Sequence, residues 1–97
     1  MKYILSKQAD EDLVRIHTFG VYRFGETQAD KYFLAFFEQF DIIAKNPYLF
    51  PSIPFLDKQI RRCVCGVDSI YYEIQGDIVL IITIIGRQEL KNKLKFK

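Results

Sequence analysis

Apolar residues recur at helical spacing through the first half of this chain and at every second position in its last third, with Asn46-Pro47 closing the first pattern. Proline has no backbone N–H to donate and the residue before it avoids helical angles, so a helix must stop there. The change of period obliges helices first and a sheet afterwards, an α+β arrangement. Residues 2–6 read as a short strand, and the Ser6 hydroxyl is placed to cap a helix running to about Arg23. Its stripe is Ala9, Leu13, Ile16, Gly20 and Phe24. Phe24-Gly25-Glu26-Thr27 breaks it, and Thr27 is expected to cap a second helix with Ala29, Phe33, Phe36, Phe37, Phe40, Ile43 and Ala44 as its stripe. A break this short folds two helices back as an antiparallel hairpin.

After a proline-rich but apolar connection over 47–58, expected to pack on the body, three strands follow. Residues 59–65 alternate, with Ile60, Arg62 and Val64 on one face and Arg61, Cys63 and Cys65 on the other. Gly66-Val67-Asp68 turns the chain into a strand over 69–75, and Gln75-Gly76-Asp77 turns it again. The run Ile78 to Ile85 is apolar on both faces, as expected of a central strand covered on both sides. The predicted order is β-α-α-β-β-β, a helical hairpin on a small antiparallel sheet.

With 97 residues the chain has material for one domain, expected over 1–88, followed by a basic tail over 89–97. A core this small leaves stability marginal, so a partner would add to it. The longest apolar run spans eight residues where a bilayer needs about 20, and the opening residues lack the apolar stretch of a signal peptide. A soluble, cytoplasmic protein is expected. Cys63 and Cys65 would lie on one face of a strand about 7 Å apart, too far for a disulfide. With a single histidine in the chain they make a weak zinc signal, since a structural site needs four ligands, and neither a metal nor another cofactor is expected. The net charge of +2 is uneven. Arg87, Lys91, Lys93, Lys95 and Lys97 against Glu89 put +4 on residues 87–97, leaving −2 for the first 86 and inviting an acidic partner for the tail.

Catalytic motifs are scarce. Neither a phosphate-binding glycine loop nor a nucleophile elbow nor a zinc-helix motif occurs. Asp10-Glu11-Asp12 falls in a first helical turn, where complementing the helix dipole accounts for it. His17 has no acid placed beside it by spacing and reads as a helix-surface residue. Arg61, Arg62 and Arg87 would form an anion site if they converged, but Arg61 and Arg62 alternate across a strand, and ion pairs with Asp57, Asp68 or Glu73 account for them equally well.

Several segments together resemble the ParE branch of the RelE/ParE toxin superfamily over residues 3–88. They are Ala44-Lys45-Asn46-Pro47 ending a helix, Ile60-Arg61-Arg62 opening a strand, Ile70-Tyr71-Tyr72-Glu73-Ile74, and Ile84-Ile85-Gly86-Arg87-Gln88. The resemblance implies the toxin of a type II toxin–antitoxin pair, acting on DNA gyrase and neutralised by a ParD-like antitoxin that lies over the hairpin and sheet. Antitoxin contacts are then expected at Tyr22, Tyr32, Phe37, Arg61, Arg62 and Arg87, and target contacts at Arg87, Lys91, Lys93 and Lys95. RelE-like relatives instead cut messenger RNA on the ribosome. They use basic residues that Lys58, Arg61, Arg62 and Arg87 match loosely, plus a Tyr or His near the C-terminus that the segment from Gly86 to Lys97 lacks. Arginine is a poor proton donor at neutral pH. The reading is therefore a binding toxin without catalysis of its own, with the ribonuclease and a non-toxic, antitoxin-binding relative as alternatives.

Overall fold

The computed structural model describes residues 1–54 and 57–86, with the backbone alone at Asp57 and Lys58. Its elements are β1 (Lys2–Leu5), α1 (Lys7–Phe24), α2 (Glu26–Lys45), β2 (Ser52–Ile53), β3 (Asp57–Cys65), β4 (Asp68–Gln75) and β5 (Ile78–Gly86). The strands form one sheet in the order β1-β5-β4-β3-β2, antiparallel except for the parallel pair β1–β5. The α+β class and the helical hairpin are as the periodicity dictates. The two-residue β2 is an addition inside the proline-rich connection, too short to show a period of its own. Among the described residues no helix is long and apolar enough to cross a membrane.

Ser6 holds the first junction together. Its Oγ accepts from the Ala9 N–H at 3.0 Å as the cap of α1, and donates to the Ile82 carbonyl at 2.6 Å. Its own N–H donates to Ile81 O at 3.0 Å, so the helix start is fastened to β5 from both sides. The second junction departs from expectation. Gly25 alone separates the helices, at φ +90°, and serves both ends: its N–H donates to Val21 O and its carbonyl accepts from Ala29 N. Thr27 lies inside α2 and caps nothing, because a single residue of left-handed backbone does the work assigned to a four-residue break. The hairpin is close-packed beside it, since a Cβ on Gly20 would stand 3.2 Å from that of Ala29.

The helices cover one face of the sheet. Leu13 and Ile16 from α1 and Phe36, Phe40 and Ile43 from α2 meet Cys63, Ile70, Tyr72, Val79, Ile81 and Ile84. On α2, i,i+4 spacing stacks the rings of Tyr32 and Phe36 and of Phe33 and Phe37 about 5 Å apart. On the opposite face the buried residues among those described are Ile53, Tyr71 and Ile85, with Ile60 packed beside them, so β5 is less fully covered than its composition implied.

The connection after α2 does pack on the body. Tyr72 Oη donates to Pro47 O at 2.7 Å, and Arg61 donates to Phe50 O at 2.6 Å while lying over the Tyr48 ring. Ile53 is buried, whereas Tyr48 and Leu49 are exposed; Phe55 and Leu56 lie outside the described residues.

Candidate functional site

One side of the molecule is left open where the carboxyl half of α1, the amino half of α2 and the β3–β4 turn fail to meet. The resulting groove has a volume of about 970 Å³. Ile16, Phe19 and Phe24 form one wall, Gln28, Ala29 and Tyr32 the other, and Gly66-Val67-Asp68 closes the end, with Arg15 at the rim. Phe19, Phe24 and Val67 are 53%, 68% and 80% exposed. Three large apolar side chains held in water around one depression mark a surface built to be covered.

The floor is rigid where the turn meets α2. Tyr32 Oη lies 2.7 Å from Asp68 Oδ2 and 2.8 Å from the Cys65 carbonyl, so its one proton serves two acceptors. Burial, and then the hydrogen bond and charge of Asp68, push the Tyr32 hydroxyl far above its ordinary range, and it stays protonated as a donor at any usable pH. Gly66 at φ +61° lies against the ring; a Cβ there would stand 2.6 Å from Tyr32 Cε1. Glycine is thus required twice, for the left-handed backbone and for the space. We expect Tyr32→Phe, which strands the Asp68 carboxylate, to cost about 1–3 kcal/mol in urea unfolding. Gly66→Ala should cost about 1–2 kcal/mol for the backbone alone and displace the ring as well, visible as shifted Tyr32 ring resonances.

The expected site residues that are described, Tyr22, Tyr32, Phe37, Arg61 and Arg62, do not gather in one place. Tyr32 is half-buried on the groove floor, while Tyr22 stands 91% exposed away from the groove walls. Phe37 is partly buried, its ring packed against those of Phe33 and Phe40. Arg61 staples the connection through the Phe50 carbonyl. Arg62 lies on the other face of the sheet, across the ladder from Tyr71. Asp68 is spent on Tyr32 and pairs with neither arginine. Arg87, Lys91, Lys93 and Lys95 lie outside the described residues, so the three-arginine anion site is one that the described residues do not assemble.

Two further readings, of Asp12 and His17, are corrected. Asp12 is 6% exposed rather than complementing a dipole. Its Oδ2 accepts from Thr83 Oγ1 at 2.5 Å and from Ile84 N at 3.0 Å, and its Oδ1 accepts from Gln8 Nε2 at 3.0 Å and faces Arg15 at 3.5 Å. Burial works to raise this carboxyl, but those donors and the Arg15 charge together hold it below the ordinary carboxylate range. His17 does have an acid partner: its Nε2 is 2.7 Å from Asp30 Oδ1 across the hairpin, with Phe33 edge-on to the ring. Spacing along one helix cannot reveal a partner on the next. Cys63 and Cys65 are free and buried, and desolvation first, then neighbouring charge, pushes both thiols up to about 11. Among the described residues no three His, Cys, Asp or Glu side chains gather as a metal site would require.

What sequence reasoning missed is the groove wall itself. Phe19 falls off the apolar stripe of α1 and Val67 sits in a turn, and large apolar side chains at such positions were the available signal.

Comparison with known proteins agrees with the fold. The family model described as the ParE toxin of the type II toxin–antitoxin system parDE matches residues 3–90. A solved chain of the chromosomal ParDE toxin–antitoxin system from P. aeruginosa superposes with a TM-score of 0.78 at 19% identity, covering 89% of this chain and 95% of that one. A conserved hypothetical protein from Helicobacter pylori aligns at 15% identity over 93% of this chain and 98% of its own, with a TM-score of 0.48. No curated protein gives a significant match.

Proposed function

The chain belongs to the ParE toxin family of type II toxin–antitoxin systems, and we propose that it is a toxin that poisons DNA gyrase and is neutralised by a ParD-like antitoxin seated in the groove of the helical hairpin. The open apolar groove carries the antitoxin half of this reading. An amphipathic helix whose apolar face enters the groove would cover Phe19, Phe24 and Val67, which are exposed in the free chain. The P. aeruginosa neighbour is part of a ParDE system, and the same pairing is proposed for this chain.

The gyrase half rests on the family and on the placement of Arg61 and Arg62 on opposite faces of one strand. Cleaving RNA requires groups that activate the 2′-hydroxyl, protonate the leaving oxygen and neutralise the phosphorane. Arg61 and Arg62 face opposite sides of β3, so one phosphate cannot lie between them. His17, the sole histidine, is paired with Asp30 in the hairpin, with the sheet between it and Arg62. The described residues assemble no such constellation, and the proposed mode of action is binding, with the basic residues Arg87, Lys91, Lys93 and Lys95 as the proposed target contacts.

Purified gyrase acting on supercoiled plasmid, with a reconstituted translation reaction beside it, tests the proposal. Linear, protein-linked DNA together with intact mRNA is the expected result. Cut mRNA with unaffected gyrase would replace this reading with the ribonuclease one. Inactivity in both, with antitoxin binding retained, would identify a non-toxic relative.

A further inference from the structure

The connection after α2 turns outward at Tyr48 and Leu49, which stand 68% and 67% exposed, before Phe50 and Ile53 turn back into the packing. The backbone that carries them is fastened at almost every residue. The carbonyls of Asn46, Pro47, Tyr48, Phe50 and Pro51 all accept hydrogen bonds. Their donors are the Leu49 N–H, the hydroxyl of the fully buried Tyr72, the Arg61 guanidinium for both Tyr48 and Phe50, and the Arg62 N–H. Arg61 also lies over the Tyr48 ring, its Cζ 5.2 Å from the ring centroid. Two large apolar side chains that contribute little to the core are thus held in fixed positions by groups that belong to the sheet. Such side chains make good interface anchors, because covering them costs little ordering entropy.

We propose that this tip is the apolar anchor by which the chain grips its target, an inference that rests on the gyrase reading: Tyr48 and Leu49 enter an apolar pocket of gyrase with carboxylates at its rim. Arg61 occupies one face of the Tyr48 ring and leaves the other for the pocket wall, where the contact gains by leaving water. Lys45, exposed in the last turn of α2, and Arg61 give the tip positive charge, which an acidic rim complements. The tip is also separate from the groove. Thirteen helical positions lie between Tyr32 on the groove floor and Lys45, roughly 20 Å at the helical rise. A helix seated in the groove therefore leaves Tyr48 and Leu49 in place for a second partner.

The test titrates the full chain into purified gyrase acting on supercoiled plasmid. Leu49→Asp sets a carboxylate against apolar walls and an acidic rim, and the concentration giving half-maximal linear DNA should rise about 30-fold or more. Tyr48→Ala should act in the same direction. Leu49→Lys loses the same apolar contact but suits the rim, and should be impaired less than Leu49→Asp; the reverse order would overturn the acidic rim. Val14→Asp puts the same charge on an α1 residue that is 65% exposed and should leave poisoning unchanged. Circular dichroism and the urea midpoint should show every variant folded, since the altered side chains stand in water. Poisoning by the native chain with Leu49→Asp and Tyr48→Ala unimpaired would overturn the inference and leave the gyrase reading standing. No poisoning by the native chain would overturn both. Retention of plasmid by the chain alone, lost in Leu49→Asp, would make DNA the occupant, and a dimer that Leu49→Asp dissociates in sedimentation would make it a second copy. Either result would overturn the inference.

Discussion

Asp12→Ala lowers the unfolding free energy by about 3–5 kcal/mol in urea titrations at neutral pH, the largest single-residue effect expected outside the aromatic core. The side chain is small, but it anchors α1 to β5. Removing it takes the acceptor from the buried Ile84 N–H and the part-buried Thr83 hydroxyl, and takes away the carboxylate beside Arg15. The loss is a large fraction of the 5–15 kcal/mol that holds a domain of this size folded. Asp12→Asn retains one acceptor oxygen and should cost less than the alanine variant, although its amide must still turn a donor toward a donor.

The same carboxylate makes stability pH-dependent with a definite sign. Its folded-state pKa lies below its unfolded value of about 3.8, so the unfolded chain takes up the proton first. The contribution is complete above that unfolded value and is lost as the pH falls through the lower folded one. Acidification from neutrality into that window should therefore destabilise the native chain more than Asp12→Asn, and the two unfolding curves should converge. Parallel curves down to the acid limit would mean that Asp12 is not the group held ionised.

Val67→Asp combined with Phe19→Asp weakens binding of the ParD-like partner by about 30-fold to 1,000-fold, as expected when 2–4 kcal/mol of central apolar contact is replaced by carboxylates. Both side chains are exposed, so circular dichroism and the urea midpoint should hardly move. Tyr22→Ala and Arg62→Ala serve as the contrast. Each alters a residue expected from sequence to touch the antitoxin, yet one stands away from the groove walls and the other lies on the opposite face of the sheet. Calorimetry should find their affinities close to that of the native chain. A loss confined to Arg62→Ala would move the interface to the open face of the sheet and remove the groove from the account.

These cases mark where local reading stops. Ser6 was legible as a cap because the donor it satisfies is three residues away. Thr27 was misread because Gly25 reaches a backbone conformation that lets one residue close both helices. Tyr32 was singled out for its aromatic ring, whereas its position in the site is due to a hydroxyl that ties α2 to a turn far along the chain. Phe37 and Phe33 share a stripe with Phe36, and spacing alone could not tell that Phe36 is fully buried while the other two are partly so.

Periodicity and punctuation by themselves determined the two helices, the three long strands and the α+β class, because each depends on neighbours one to four residues apart. The family resemblance was legible for the same reason, being a matter of short segments in order. Only the tertiary structure decided that Asp12 would be buried, since that depends on a register shift in β5 that brings Thr83 and Ile84 to the same carboxylate. Only it separated Arg61 from Arg62 in role and gathered Phe19, Phe24 and Val67 around one groove. A side chain's exposure is set by what the rest of the chain lays over it, and that is a sum over distant contacts which no local pattern contains.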